Sequence, residues 1–371
     1  MVSVSTVEAS SGGMVSFGPA GGQGNGGVWN GSVSVSATSK YVSFISNATD
    51  LVSGDTAFKD VFVLDTETGT VTKESGVGVS GMPTTGHVDR AAMSRNGRFV
   101  VSNSTIKNGK LYLRDRTLQQ TIQINTSYSQ VPHPLAISED GRFVFYNRGG
   151  LYYYDLSSST ETLIHTYAAN STISCDGRFV AFNTGAQLLG TDTNSHEDVY
   201  LADLMGGISF KLLTTTANDR STNPVISCDG NHVVFTTKAD NLGSGDTNSN
   251  EDVYQYSVSD LTFKRVSLAP DGSEYQDSQS SAGGVNGSYA NVSIDGRYVT
   301  FGVTKAEPYI YGGWGTVSND IYVRDTKNDT TVLAFAGLHG VPRLGYDFKK
   351  MYFVGNLNAG QGKLYFAANY L

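Results

Sequence analysis

The chain lacks the features by which membrane proteins and many enzymes are identified from sequence. No apolar run approaches the roughly 20 residues that span a bilayer, so we expect no membrane insertion. The six histidines are scattered, and no Gly-x-Ser-x-Gly elbow, His-Glu-x-x-His pair or phosphate-binding loop occurs. These absences argue against an enzyme, although a site assembled from carboxylates of several segments needs no linear motif.

Positive charge is also scarce, and no helical periodicity is visible. The 26 Lys and Arg residues are outnumbered by 34 Asp and Glu, and no basic cluster stands out. Nucleic-acid binding depends on clustered Lys and Arg, so no nucleic-acid partner is expected. The first residues, MVSVSTVEASSGG, have neither the basic nor the apolar region of a secretory signal.

What the chain does contain is a repeated hairpin, best seen in ISCDGRFVAF at Ile173–Phe182. An Asp-Gly pair between two alternating apolar runs is a strong hairpin signal, because the turn needs positive φ. We therefore expect positive φ at Gly177 and Gly230. Related hairpins recur at 35–44, 92–102, 136–146, 173–182, 225–235, 292–301 and 344–354.

The repeat predicts an all-β fold in one domain, residues 1–371. Each repeat has four strand-like pieces, and a single four-stranded sheet cannot bury its apolar face alone, so the copies must stack. Radial stacking of such sheets is a β-propeller. Seven hairpins predict seven antiparallel blades. A lone strand at Val2–Val7 is expected to close the ring by completing the last blade beside Lys363–Leu371.

The repeat pattern S-x-D-G-R-Y/F-V-x-F, followed by G-D-T-N-x-x-x-D-V-Y/F-x-x-D, resembles the TolB-like family of WD-like propeller repeats. The fullest matches are Ser174–Asp203 and Ser227–Tyr256, and the resemblance covers nearly the whole chain. It implies a propeller that acts as a platform, as in binding proteins, peptidase gating domains and cell-surface proteins. It does not imply one activity.

The only cysteines, Cys175 and Cys228, hold the same position in two consecutive repeats. Stacked sheets lie about 10 Å apart, whereas a disulfide needs Cα atoms within about 7 Å. We therefore expect no bridge, and we interpret both as small turn residues without a redox or metal role.

Two Gly-flanked loops carry the most specific local pattern, at 190–200 and 243–254. Oxygen-bearing side chains at alternating positions suit a hard cation such as Ca²⁺, although Asp and Asn also cap their own backbone in such loops. The blade-one loop at Asp55–Asp60 is shorter and has Lys59 beside it, so we expect no ion there. The candidate ligands are Asp192, Asn194, Asp198, Asp246, Asn248, Asn250 and Asp252.

Aromatic residues concentrate in the long connections expected on one face of the ring. Tyr309, Tyr311 and Trp314 lie in one such loop, and Trp29 lies in the Gly-rich N-terminal connection. Exposed aromatic rings on loops of a rigid scaffold often bind sugars or peptides. The alternative is that these rings pack beneath their own loops.

Two classes of function follow. The first is a non-enzymatic binding or scaffold propeller with a protein or glycan partner, for example within a surface or virion assembly. The second is a glycoside hydrolase or lyase with a site at the channel mouth. An acidic cluster around that mouth would favour the enzyme. The compartment is not fixed by the sequence, although an extracellular, cell-surface or virion-associated site is slightly favoured, and the oligomeric state is not indicated.

Overall fold

A computed structural model of the chain describes residues 13–14, 25–29, 33–56, 58–76, 88–105, 109–124, 130–243, 245–248, 250–275, 285–306, 317–338, 342–344, 350–355 and 363–368. The regular structure of these residues is entirely β, arranged in four-stranded antiparallel sheets. The all-β prediction is therefore confirmed. No helix in this part of the chain is long and apolar enough to cross a membrane.

Six blades are each built from four consecutive strands, A to D, and the first described strand, β1 (Gly13–Met14), lies outside them. The strands of blades one to three are β2 (Ser34–Val35), β3 (Tyr41–Ser46), β4 (Asp60–Asp65), β5 (Val71–Lys73); β6 (Ala91–Met93), β7 (Phe99–Ser104), β8 (Lys110–Asp115), β9 (Gln120–Ile124); β10 (His133–Ile137), β11 (Phe143–Asn147), β12 (Leu151–Asp155) and β13 (Thr160–His165).

The strands of blades four to six are β14 (Ala169–Ile173), β15 (Phe179–Thr184), β16 (Asp198–Asp203), β17 (Ser209–Leu212); β18 (Ser221–Ile226), β19 (His232–Thr237), β20 (Asp252–Ser257), β21 (Thr262–Arg265); β22 (Val285–Val292), β23 (Tyr298–Ala306), β24 (Val317–Asp325) and β25 (Thr330–Leu338).

The four remaining strands come from both ends of the chain and form a terminal sheet. Besides β1, this sheet contains β26 (Pro342–Leu344), β27 (Lys350–Gly355) and β28 (Lys363–Ala368), in the order β1-β28-β27-β26. Strand β1 runs antiparallel to β28, with Gly13 opposite Phe366 and Met14 opposite Tyr365. The segment predicted to pair here, Val2–Val7, lies outside the described residues.

The prediction of seven blades is wrong, because the structure has six blades of consecutive strands. The prediction assumes that each copy of the hairpin motif begins one blade of the same kind. The last copy, at 344–354, contains no Asp-Gly turn. Its strands β26 and β27 belong to the terminal sheet, which is completed by pairing between the two chain ends and not by a fourth consecutive strand.

The core lies between the blades, where each sheet packs its two middle strands against a neighbour. Strands B and C are therefore buried on both faces, as in β15 and β16 of blade four. Ala181 and Leu201 of blade four pack in one cluster with Val233 and Phe235 of blade five. Apolar residues on both faces of a strand explain why these runs are nearly continuous in sequence.

The Asp-Gly turns link neighbouring blades as well as reversing the chain. Gly177 and Gly230 have φ of 75° and 76°, as predicted. A Cβ added at Gly230 would lie 2.5 Å from Cδ2 of Phe179 in the preceding blade. Glycine is required here for two reasons, since the backbone is left-handed and an aromatic ring occupies the space of a side chain.

Candidate functional site

The antiparallel strand order divides the ring into two faces. The A-to-B and C-to-D turns lie on one face, which we call the turn face, and the D-to-A and B-to-C connections lie on the other, the loop face. On the turn face, the backbone N–H of Glu139 donates to the carbonyl of Cys175 at 3.0 Å, and the N–H of Cys175 donates to the carbonyl of Cys228 at 3.0 Å. The A-to-B turns of blades three to five are therefore in direct contact.

This convergence allows a disulfide between Cys175 and Cys228, whose Cα atoms lie 4.7 Å apart. The prediction that these cysteines stay unbridged is wrong. The spacing of about 10 Å describes sheets packed face to face, but wedge-shaped blades approach each other more closely at their inner turns. The bridge joins blades four and five directly.

A side chain also crosses the ring at this face. Arg95, in the A-to-B turn of blade two, donates from Nη2 to the carbonyl of Ile226 in blade five at 3.2 Å. Among the described residues, one group of three ligand-bearing side chains has its donor atoms close together, namely Glu139, Cys175 and Cys228. Because the two sulfurs are joined to each other, this group is an interblade link and not a metal site.

Of the four aromatic residues predicted to bind a partner, Trp29 lies among the described residues, on the loop face. The Trp29 side chain is 36% exposed, and Nζ of Lys59 lies 4.0 Å from the centroid of its ring. Lys59 therefore contacts an aromatic ring on this face. The other three predicted binding residues, Tyr309, Tyr311 and Trp314, lie outside the described residues.

Several carboxylates on the loop face have cationic or titratable partners. Asp89 lies 3.5 Å from Nδ1 of His133, and Asp219 lies 3.7 Å from Nδ1 of His196. Glu251 accepts a hydrogen bond from Arg220. The described loop-face residues form no cluster of three acidic groups with adjoining ligand atoms.

The predicted ion-binding loops end in carboxylates buried at the start of strand C. Asp60, Asp198 and Asp252 hold this position in blades one, four and five. In blade four, Asp198 accepts a hydrogen bond from Thr214, whose Oγ1 in turn accepts the N–H of Val199 at 3.1 Å. The same arrangement occurs in blade one through Ser75 and in blade five through Ser267. The Asp is thus part of a repeated brace between strands C and D.

Two of the Asn residues predicted as ion ligands accept hydrogen bonds from the backbone of their own loops. Oδ1 of Asn194 accepts the N–H of His196 at 2.7 Å, and Oδ1 of Asn248 accepts the N–H of Asn250 at 2.8 Å. Both are turns closed by the Asn side chain two residues earlier. The structure thus brings together the two Asp residues of each loop, while the Asn residues shape the loop around them.

Strand D supplies a cation in blades one and five. Nζ of Lys73 lies 2.7 Å from both Asp55 and Asp60. Nη1 of Arg265 lies 3.3 Å from Oδ1 of Asp246 and 3.7 Å from Oδ2 of Asp252. Burial raises the pKa of Asp252 to about 6 despite its bond to Ser267. Sequence reasoning missed these cations, although both stand two residues before the bracing serine.

Comparisons with known proteins agree on the fold. No protein-family model matches the chain, and no curated protein matches it. The chain is similar to the solved structure of an oligogalacturonate lyase from Vibrio parahaemolyticus, at 12% identity and a TM-score of 0.61, over 93% of this chain and 91% of that one. It is also similar to the β-propeller domain of Myceliophteria thermophila Cps50 (Swd1), at 11% identity and a TM-score of 0.51, over 92% and 97%.

A TolB structure from Acinetobacter baumannii also matches, at 12% identity and a TM-score of 0.43, over 93% of this chain and 79% of that one. The predicted resemblance to WD-like propellers is confirmed as a likeness of structure, through the Cps50 (Swd1) domain. At these identities the likeness establishes the propeller fold and no particular activity.

Proposed function

We propose that this protein is a non-enzymatic binding or scaffold propeller that engages a protein or glycan partner with its loop face. The observation that supports this proposal is the contrast between the two faces. The turn face has tight turns, an interblade disulfide and the side chain of Arg95 across the ring. The loop face has the longer connections and the partly exposed ring of Trp29.

The chemistry of the loop face fits a binding role. Asp89, Asp219 and Glu251 each lie beside a histidine or an arginine, so they are not arranged as a pair of free carboxylates facing a substrate. An exposed aromatic ring offers a flat apolar surface to a sugar or to an aliphatic side chain. Because the ring stands on regular β-blades, the protein itself loses little conformational entropy when a partner binds.

The test is a partner search followed by matched substitutions. A pull-down and a glycan array with the whole chain would identify the partner class. Because anchor residues near the centre of an interface often contribute 2 kcal/mol or more, we expect Trp29→Ala or Trp314→Ala to weaken binding at least about tenfold. Met205→Ala removes a large apolar side chain that is 68% exposed, more than Trp29, from a C-to-D turn on the turn face and should leave binding unchanged. Equal affinities in all variants would place the site elsewhere.

The second candidate is a glycoside hydrolase or lyase with its site at the loop-face mouth. Two observations favour it: one similar structure is an oligogalacturonate lyase, and two His–Asp pairs lie on the loop face. Incubation with oligogalacturonates and with neutral oligosaccharides distinguishes the candidates. Formation of unsaturated or new reducing ends, lost in His133→Ala or His196→Ala, would replace the binding proposal.

A further inference from the structure

Three blades place the same pair of aspartates at the same point of the fold. The pairs are Asp55 with Asp60, Asp192 with Asp198, and Asp246 with Asp252. The strand register identifies which strand D residue lies beside each pair of aspartates. This residue is paired with the strand C residue that stands two positions after the Asp at the start of strand C. These opposed residues are Phe62 and Lys73 in blade one, Tyr200 and Leu212 in blade four, and Tyr254 and Arg265 in blade five.

Blades one and five use that strand D position to neutralise the pair. The ammonium group of Lys73 contacts both carboxylates of blade one, each at 2.7 Å. The guanidinium of Arg265 lies between the carboxylates of blade five and also pairs with Glu274. In each case a fixed positive charge offsets the cost of removing two carboxylates from water.

Blade four has no cation at this position, because Leu212 occupies it. Asp192 and Asp198 are nonetheless 6% and 0% exposed. One oxygen of each has a protein donor, Tyr200 for Asp192 and Thr214 for Asp198. The other two atoms, Oδ1 of Asp192 and Oδ2 of Asp198, are fully buried and accept no well-formed hydrogen bond from the described residues.

The neighbouring polar groups do not replace the missing cation. His196 is the nearest titratable base in the loop, but its ring is 44% exposed and its Nδ1 faces Asp219 at 3.7 Å. The Asn194 side chain approaches Asp198, but it is neutral. Buried carboxylate oxygens without partners are costly and rare in folded proteins. A positive charge is therefore expected between them.

We propose that blade four binds a divalent cation between Asp192 and Asp198, at the position that Lys73 and Arg265 fill in blades one and five. The donors are carboxylate oxygens, which suit a hard ion such as Ca²⁺. Two carboxylates balance its charge, and backbone carbonyls of the 190–198 loop or water complete the coordination. The ion takes the place of a strand D side chain, so the site stabilises the fold and does not depend on the proposed binding function.

The first test is calcium binding by the intact protein. We expect one equivalent of Ca²⁺ by calorimetry, and a melting temperature that rises with CaCl₂ and falls with chelator. MgCl₂ and MnCl₂ serve as probes of ion preference. Asp192→Asn and Asp198→Asn should each lose the binding while near-ultraviolet circular dichroism shows native packing. A wild-type protein that binds none of the three ions would overturn the proposal.

The second test exchanges the cations between blades. Leu212→Lys copies blade one into blade four, and we expect it to abolish calcium binding and to make the melting temperature insensitive to chelator. Arg265→Leu copies blade four into blade five and should add a second equivalent of bound Ca²⁺. If Leu212→Lys raises the melting temperature while wild-type melting curves with CaCl₂ and chelator coincide, a proton and not a metal neutralises the pair, and the proposal fails.

Discussion

The turn face and the loop face of this propeller are built in different ways. On the turn face the same contacts recur from blade to blade: the serine before each Asp-Gly or Asn-Gly turn accepts the N–H of the residue five positions later, as Ser174 does from Phe179 and Ser227 does from His232, both at 2.9 Å. On the loop face, equivalent positions can differ even in the sign of their charge: Lys59 of blade one stands where blades four and five have Glu197 and Glu251. The repeat therefore determines how blades pack, while it leaves one face free to vary.

The largest expected effect comes from breaking the one covalent link of the turn face. The Cys175–Cys228 bridge closes a loop with a sequence separation of 53 residues. The chain-entropy relation for a loop of this length gives a stabilisation of about 4 kcal/mol. We therefore expect a Cys175→Ser/Cys228→Ser double variant to lose several kcal/mol of unfolding free energy in urea titrations.

Reductant supplies the control for this prediction. Dithiothreitol should lower the stability of the wild type towards that of the double variant and should not affect the double variant itself. If reduced and oxidised wild-type protein unfold at the same urea concentration, the bridge adds nothing to the contacts already made by the converging turns. Disulfides of this kind form and persist in oxidising compartments.

The next largest effect is expected from replacing the turn glycines. Two variants separate the cost of left-handed backbone strain from the cost of a clash with the neighbouring blade. Gly230→Ala introduces both left-handed strain and a Cβ 2.5 Å from Phe179, whereas Gly69→Ala, in a C-to-D turn with φ of 72°, meets no atom within 4 Å. We expect a loss of roughly 1 kcal/mol from strain alone at Gly69 and of about 2 to 3 kcal/mol at Gly230. Thermal unfolding of both variants measures the difference, and equal losses would show that the ring of Phe179 moves away at little cost.

The sequence predicted the turn face well because its determinants are local. One ten-residue segment, such as Ile173–Phe182, contains all of these determinants. They are the Asp-Gly turn, the serine two residues before the Asp of that turn, and the alternating strand that follows. Strand type, turn position and positive φ all follow from that segment. The number of blades did not follow, because pairing of β1 with β28 depends on where the two ends of the chain meet.

The determinants of the candidate sites are not local, and prediction was weaker there. Lys73 stands 13 residues after Asp60, and only the register of strands C and D brings the two side chains together. Contact between Cys175 and Cys228 depends on how far the inner turns converge. The alternation of Asp residues in the loops was visible, but the residue that neutralises each pair could be identified only from the paired strands.

A smaller effect is expected from the ion pairs that anchor the turn face. Arg297 donates to both oxygens of Asp325, at 3.1 Å and 2.7 Å, and these bonds, with those from the following backbone, lower the pKa of Asp325 to about 2. A carboxyl whose pKa is lower in the folded than in the unfolded protein stabilises the fold when the pH is above its unfolded-state pKa. That contribution is lost as the pH falls through the folded-state pKa. Arg297→Gln should therefore destabilise at pH 7, with the difference from wild type shrinking between about pH 4 and pH 2.

Urea titrations at several pH values test this dependence. Lys327→Gln is the matched control, because it removes one exposed positive charge from the neighbouring C-to-D turn and leaves the hydrogen bond from the backbone N–H of residue 327 to Asp325 in place. The control should track the wild type at every pH. A constant deficit of Arg297→Gln down to pH 2 would mean that packing of Arg297 against Tyr298, at 4.7 Å from the ring centroid, contributes more than the ion pair.

The smallest effect is expected on the loop face, where the contacts of Trp29 are peripheral to the packing between blades. Nζ of Lys59 lies 4.0 Å from the centroid of the partly exposed Trp29 ring, and such an exposed cation–π contact contributes about 0.5 to 1 kcal/mol. We expect Lys59→Met to reduce the unfolding free energy by no more than that, far less than the turn-face variants.

Since the chain has two tryptophans, a Trp314→Phe background isolates the fluorescence of Trp29, which should change when Lys59 is replaced. Lys40→Met, which removes a lysine 5.6 Å from the ring of Tyr41 on the turn face, should leave that emission unaltered. A large loss of stability in Lys59→Met would show that the loop face also supports the ring, and the contrast between the two faces would have to be abandoned.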